Sequence, residues 1–191
     1  MKVELGQKNY LYPALVVLVG ANVNGKPNYT PVAHTGLWIT RSSVALTSNS
    51  HSNKGIKENG TFSFNIPSQE QLILTDYCGL VSGKDTDKGA LFTNFYGELG
   101  TAPMIEECPL NMEFRVVETT VSPRKRGAPA DVYIGEIIAT YCNEDVLTDG
   151  ELDLMKVKPY FVSARDLFYY GLGERIARDG IGEQLKEKQE K

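Results

Sequence analysis

The sequence predicts a mainly β protein with two or three short helices, arranged as a barrel. Three observations carry this. The apolar runs are strand-sized, turn residues punctuate them at short intervals, and no strand alternates with a long helix as a parallel α/β sheet requires.

Residues 14–21, ALVVLVGA, form a continuous apolar run that suits a buried strand. The pair Asn24-Gly25 is of the kind that closes a two-residue hairpin, so residues 29–40 are expected to return antiparallel as a second strand. SVALTSN reads as a third strand. In SNKGIKENG, Ser52 is the cap candidate for a short amphipathic helix that ends at Gly60. TFSFNI alternates aromatic with polar residues and is expected to bury one face. After Pro67, SQEQLILTDYCGL has helical spacing with Ser68 as its cap, and the polar loop VSGKDTDKG follows. Two long β runs, LNMEFRVVETTVS and DVYIGEIIATYCN, form a hairpin across the turn-rich SPRKRGAPA. LMKVKPYFVSA reads as a further strand. The residues after Gly173 read as helical, with a charged tail from about Glu183.

With 191 residues and 41% hydrophobic content, the whole chain, residues 1–191, is expected to form one domain around one core. No apolar run approaches the roughly 20 residues that span a membrane, and the first residues lack the apolar stretch of a secretory signal. Cys78, Cys108 and Cys142 are odd in number and widely spaced, which indicates neither a disulfide framework nor a structural zinc site. A reducing cytoplasm is the expected location. The net charge of -4 argues against nucleic-acid binding, and the one basic cluster, Arg124, Lys125 and Arg126, reads as a solvated loop.

Chemistry-bearing residues are few. Ser52 and Lys54 fall where a strand gives way to a helical turn, a place that suits either a cap or an anion on free backbone N–H groups. His34 and His51 are the two histidines and have no second metal ligand at a useful spacing, so no metal is expected. Gly171-Leu172-Gly173 lacks the third glycine and the βαβ unit of a dinucleotide loop, and no GxSxG occurs. Cys78 reads as a packed residue. Lys84 and Lys88 alternate with Asp85 and Asp87, which fits a solvated loop or a cation directed at an electron-rich cofactor edge.

In order along the chain, these pieces resemble the flavin reductase-like, FMN-binding split-barrel family, and within it the flavoredoxin-like branch. The resemblance runs over residues 13–173 and is most specific in SNSHSNKGIKENGTFSFNIP followed by TDYCGLVSGKDTDKG. It implies an FMN-binding split β-barrel. Ser52 occupies the family's hydroxyl position at the FMN phosphate, and Gly79, Ser82-Gly83 and Asp87-Lys88 match its glycine-bearing loop. Residues 28–35 match the strand that passes along the flavin, and Tyr169, Leu172 and Gly173 match its carboxyl-terminal motif. The implied FMN contacts are Thr30, Ala33, His34, Thr35, Ser48, Asn49, Ser52, Lys54, Lys88 and Tyr169. FMN's charged phosphate, polar ribityl chain and flat ring call for a cation or helix start, hydroxyls and a β wall, all of which this sequence offers.

The resemblance further implies a homodimer and an FMN-dependent oxidoreductase, with NADH or NADPH as transient electron donor. No catalytic side chain is called for, because the flavin carries the chemistry. An electron carrier serving another redox protein, and a noncatalytic flavin-binding protein, are the alternatives on the same scaffold.

Overall fold

The computed structural model describes residues 1–11, 13–124, 127–163 and 166–183. Lys125 and Arg126 of the basic turn, and all but the first residue of the charged tail, lie outside them.

The strands are β1 (Ala14–Leu15), β2 (Val17–Val23), β3 (Lys26–Val32), β4 (Thr35–Leu37), β5 (Arg41–Thr47) and β6 (Thr61–Ile66), with helix α1 (His51–Asn59) before β6. Helix α2 (Leu72–Leu80), the short strands β7 (Asn94–Phe95) and β8 (Met104–Ile105), and the long strands β9 (Leu110–Ser122) and β10 (Ala130–Cys142) follow. The last elements are β11 (Leu147–Thr148), β12 (Glu151–Leu152), the single-turn helix α3 (Leu154–Val157), β13 (Tyr160–Ser163) and β14 (Phe168–Gly171). The predicted strand over residues 154–164 is thus a helical turn followed by β13, because Asp153 caps Met155 N and starts the turn. No helix forms after Gly173 among the described residues; a 3₁₀ turn at Ile181–Glu183 ends them.

Seven strands make one antiparallel sheet in the order β3-β2-β6-β9-β10-β5-β4. β3 and β4 lie at its opposite edges, yet only Ala33 and His34 separate them in sequence. Three peptide steps reach at most about 11 Å, so the sheet must curl until its edges meet. At this corner the His34 carbonyl accepts from Ala45 N at 3.1 Å, which extends the β4–β5 ladder by one residue toward β3. The single strand expected over residues 29–40 is therefore two strands on either side of a barrel seam. The β2–β3 hairpin turns on Asn24 and Gly25, with φ of 50° and 76°, the positive values that favour this residue pair.

Alternate residues of β2 face two cores. Val17, Val19 and Ala21 point into the barrel with Phe62, Phe64 and Phe114, whereas Leu18 joins Tyr29, Cys78, Phe92 and Ile105 outside it. This explains why the sequence runs apolar without alternation. Phe62 and Phe114 stack with centroids 4.8 Å apart, and burying each such side chain contributes about 1.5–3 kcal/mol. β6 buries both faces rather than one. Its polar residues are hydrogen-bonded instead of solvated: Asn65 Nδ2 donates to Leu18 O at 2.9 Å, and its Oδ1 accepts from Ile105 N and Asn111 Nδ2. Residues 101–105 cover the face that the alternation pattern assigns to water.

Candidate functional site

α1 begins at the end of β5 and is capped by Ser50, whose Oγ accepts from Asn53 N at 3.3 Å. The cap is therefore Ser50, not Ser52 as the sequence suggests. Ser52 lies within the first turn, 2% exposed, and its Oγ accepts from Asn28 Nδ2 at 2.7 Å. It fastens α1 to β3 rather than standing at the helix mouth. Lys54 N bonds Ser50 O, which leaves the N–H groups of His51 and Ser52 without intrahelical acceptors. An open cleft at this helix start is lined by Ser48, Asn49, Ser50, His51, Lys54, Lys57, Glu58 and Lys84.

The cationic groups here are held in place. Lys57 Nζ is 2.6 Å from Asp131 Oδ2, and Ser48 Oγ donates to Asp131 Oδ1 at 2.6 Å. Burial works to raise the Asp131 carboxyl, but Lys57, Ser48 and Asn53 outweigh it and hold it below the usual carboxylate value. Lys54 Nζ donates to Asn24 Oδ1 at 3.1 Å and pairs with Glu58. Burial, and then the charges of Lys54, Lys84 and Lys88, lower the His51 pKa, which favours the neutral ring.

A second cleft adjoins the first and shares His51 and Lys84 with it. Its walls are the β2–β3 turn with Pro27 and Asn28 on one side and residues 83–88 on the other. Three glycines let this loop and α2 lie against β3. A Cβ on Gly79 would stand 3.0 Å from Pro31 Cγ, one on Gly89 2.8 Å from Pro27 O, and one on Gly83 would collide with Asn28 Oδ1. Gly79 and Gly83, which match the family's loop, are thus close-approach positions, whereas Gly173 of the carboxyl-terminal motif has open space around it. Lys88 lines this cleft but is 5% exposed, and its Nζ donates to Cys78 O at 2.6 Å, near the carbonyl end of α2. The exposed cation of the loop is Lys84.

A third cleft lies farther along β3, between Pro31, Val32 and Ala33 on one side and Asp76, Gly79 and Leu80 of α2 on the other, with Val16, Val162 and Tyr169. It is mostly apolar. Tyr169 O–H donates to Asp76 Oδ1 at 2.6 Å, and burial, followed by that carboxylate, pushes its pKa up to about 12. β3 therefore walls both the polar and the apolar cleft, with the loop after α2 facing it in the polar one and α2 itself in the apolar one.

Of the residues predicted to contact a cofactor, Ser48, Asn49 and Lys54 meet at the helix start, Lys88 lies in the adjoining cleft, and Ala33 and Tyr169 share the apolar one. Thr30 sits half-buried in β3 opposite Val19, Thr35 pairs with Val44 in β4, and His34 is exposed at the seam. These three and Ser52 line none of the clefts. Sequence reasoning missed Ser50, His51 and Lys57 as cleft residues, and of the two loop lysines it weighed, Lys84 and Lys88, it carried only Lys88 into the contact set. The SNSHS run offers three serines at alternate positions, and only the helix register selects Ser50.

A sequence model described as flavin reductase like domain matches residues 10–169, most of the chain. The chain belongs to this family. Among solved structures, the flavin reductase-like fold here superposes on flavoredoxin from Methanosarcina acetivorans with a TM-score of 0.88 and 38% identity, covering 97% of this chain and 99% of that one. Flavoredoxin of Desulfovibrio vulgaris (Miyazaki F) matches with 0.86 and 29% identity over 96% and 100%. An FMN-binding protein from Thermus thermophilus shares the fold, with a TM-score of 0.74 and 21% identity over 93% and 97%. No curated protein sequence matches the chain. The curled sheet is the expected split barrel, and no helix among the described residues is long and apolar enough to cross a membrane.

Proposed function

We propose that this flavin reductase-like chain binds FMN along β3 and acts as an oxidoreductase that takes its electrons from NADH or NADPH. The observation that carries the reading is one strand, β3, lining an apolar cleft and a polar cleft that shares His51 and Lys84 with the cationic helix start, with α2 opposite it in the first and the following loop in the second. FMN has a charged phosphate at one end and a flat conjugated ring at the other, and this donor set fits it.

The N–H groups of His51 and Ser52, with Lys54 and Lys84, would hold the phosphate, with Ser48 and Asn49 beside them. Thr30 and Asn28 offer polar groups to the ribityl chain. Ala33, His34, Thr35 and Tyr169 would hold the ring, and Lys88 places a positive charge near the site. Bound FMN supplies the capacity to accept a hydride or single electrons. The protein's part is to bind, orient and leave one ring face accessible, for which no acid or base side chain is required. A homodimer suits the exposed run Leu37, Trp38 and Ile39, at 86%, 55% and 98%, which lies beside the proposed ring contacts. Two buried free cysteines and an exposed third suit a reducing compartment.

Titration with FMN and riboflavin, followed by anaerobic mixing with NADH and NADPH, tests this. Stoichiometric FMN uptake and saturable bleaching of the flavin band by a nicotinamide support the reading; equal affinity for the two flavins defeats it. The 38% identity to a flavoredoxin over nearly the whole chain favours a second reading, a carrier of electrons between proteins. Bleaching by dithionite but by neither nicotinamide would select that carrier.

A further inference from the structure

Tyr169 stands on β14, the outer strand of the small β1-β13-β14 sheet, and all four β14 residues are exposed. Its ring meets Tyr160 edge-on, with centroids 5.7 Å apart at 85°, and its hydroxyl crosses to Asp76 on α2. The sequence gives Asp76 no evident role, and Ile73, Tyr77 and Leu80 of the same helix leave its solvent side apolar. At the rim of the apolar cleft the Asp76 Oδ1 is bonded to one phenol, that of Tyr169.

We propose that Asp76 is a positioning residue for the flavin ring, its carboxylate fixing the phenol of Tyr169 as a rigid wall of the cleft that Ala33 also lines. The inference rests on the FMN reading above. A tyrosine 39% exposed on an edge strand can move among rotamers, and a flat ligand that packs on it must then order it. The charge-assisted O–H···O⁻ bond orders the ring beforehand, because such bonds are short and about twice as strong as neutral ones. Preorganising one such side chain changes affinity by about threefold to tenfold. Since the effect falls on the ring, it applies to FMN and riboflavin alike.

The test is flavin binding by wild type, Asp76→Ala, Asp76→Asn, Tyr169→Phe and the Asp76→Ala/Tyr169→Phe double variant, each checked by far-UV circular dichroism. Asp76→Ala and Tyr169→Phe should each weaken both flavins by about threefold to tenfold and alter the visible circular dichroism of the bound flavin. The double variant should be no worse than either single one, because both remove the same bond. Asp76→Asn, whose neutral amide oxygen still accepts from the phenol, should restore about half of the lost binding energy and so lie between Asp76→Ala and wild type. Losses that add, a loss for FMN alone, or Asp76→Asn as weak as Asp76→Ala would overturn the inference. If Asp76→Ala fails to fold, Tyr169→Phe against Asp76→Asn decides it. Wild type that takes up neither flavin overturns the proposed function together with this inference, whereas wild-type uptake unchanged in every variant overturns this inference alone.

Discussion

Replacing Gly83 by alanine tests whether the loop after α2 must lie against β3 for the polar clefts to exist. The added Cβ would stand 2.8 Å from His51 Cδ2 and closer still to Asn28 Oδ1. Carbon atoms rest at about 3.5 Å or more, so the loop or the imidazole must withdraw by about 0.7 Å at least. Asn28 is a poor candidate to yield, being 4% exposed and tied to Ser52 at 2.7 Å. Forced shifts of this kind cost about 1–3 kcal/mol. With a urea slope of about 2 kcal/mol per molar, the unfolding midpoint should fall by roughly 0.5–1.5 M. The neighbouring Lys84 moves with the loop, so FMN should bind about tenfold more weakly, which corresponds to about 1.4 kcal/mol, and riboflavin should lose less. Asn28→Ala removes the oxygen that the new Cβ meets, so Gly83→Ala should cost less in that background than in wild type. Gly182, with open space around it and no positive φ, gives a neutral alanine control. Wild-type stability and FMN affinity in Gly83→Ala would refute the packing argument.

Three further outcomes follow from named contacts. Lys54→Ala with Lys84→Ala should weaken FMN by about a hundredfold or more, at about 1.5–3 kcal/mol for each of two charge-assisted bonds, leave riboflavin unchanged, and flatten the salt dependence of FMN binding measured by fluorescence. Asp131→Asn should destabilise the fold by about 1.5–3 kcal/mol at pH 7 through the weakened Lys57 and Ser48 bonds; because the folded carboxyl lies below its ordinary 3.8, that stability is present above about pH 4 and fades as pH falls below 3.8 through the folded value, so urea midpoints of variant and wild type should converge as the pH is lowered across that range. Lys88→Met should lower stability by about 1–3 kcal/mol even without flavin, because Cys78 O then loses its buried partner, as thermal unfolding of the flavin-free protein would show.

Local chemistry was legible in the sequence wherever one residue type answers one backbone demand. Asn24-Gly25 takes the positive φ values of its hairpin, Gly60 takes φ 65° at the end of α1, and Ser68 caps the turn before α2 and shares a capping box with Gln71. The fold class was legible for the same reason, since short runs and turns leave little else. Burial of the second face of β6 was not, because its cover, residues 101–105, lies some 40 positions away, and Ser63 and Asn65 look like solvated residues until Pro103 O, Leu18 O and Ile105 N are placed beside them.

The site was legible as a set of segments and not as a set of side chains. The helix start, residues 26–33, the loop after α2 and Tyr169 each border a cleft, whereas TFSFNIP, equally marked by the resemblance, borders none of the three; glycines 79, 83 and 89 bring backbone together there, and backbone approach leaves a residue-type signature. The direction in which a lysine or serine points leaves none. Lys84 and Lys88 differ by one turn of loop, yet Lys88 is drawn under Cys78 O while Lys84 reaches both polar clefts. Ser50 and Ser52 differ by two positions along α1, which turns one toward the helix mouth and the other toward Asn28. A substitution series that exchanges roles within each pair therefore separates the two levels. Removing Lys88 or Ser52 should act first on folding, and removing Lys84 first on the phosphate, although family pattern alone would rank Lys88 and Ser52 as the ligands.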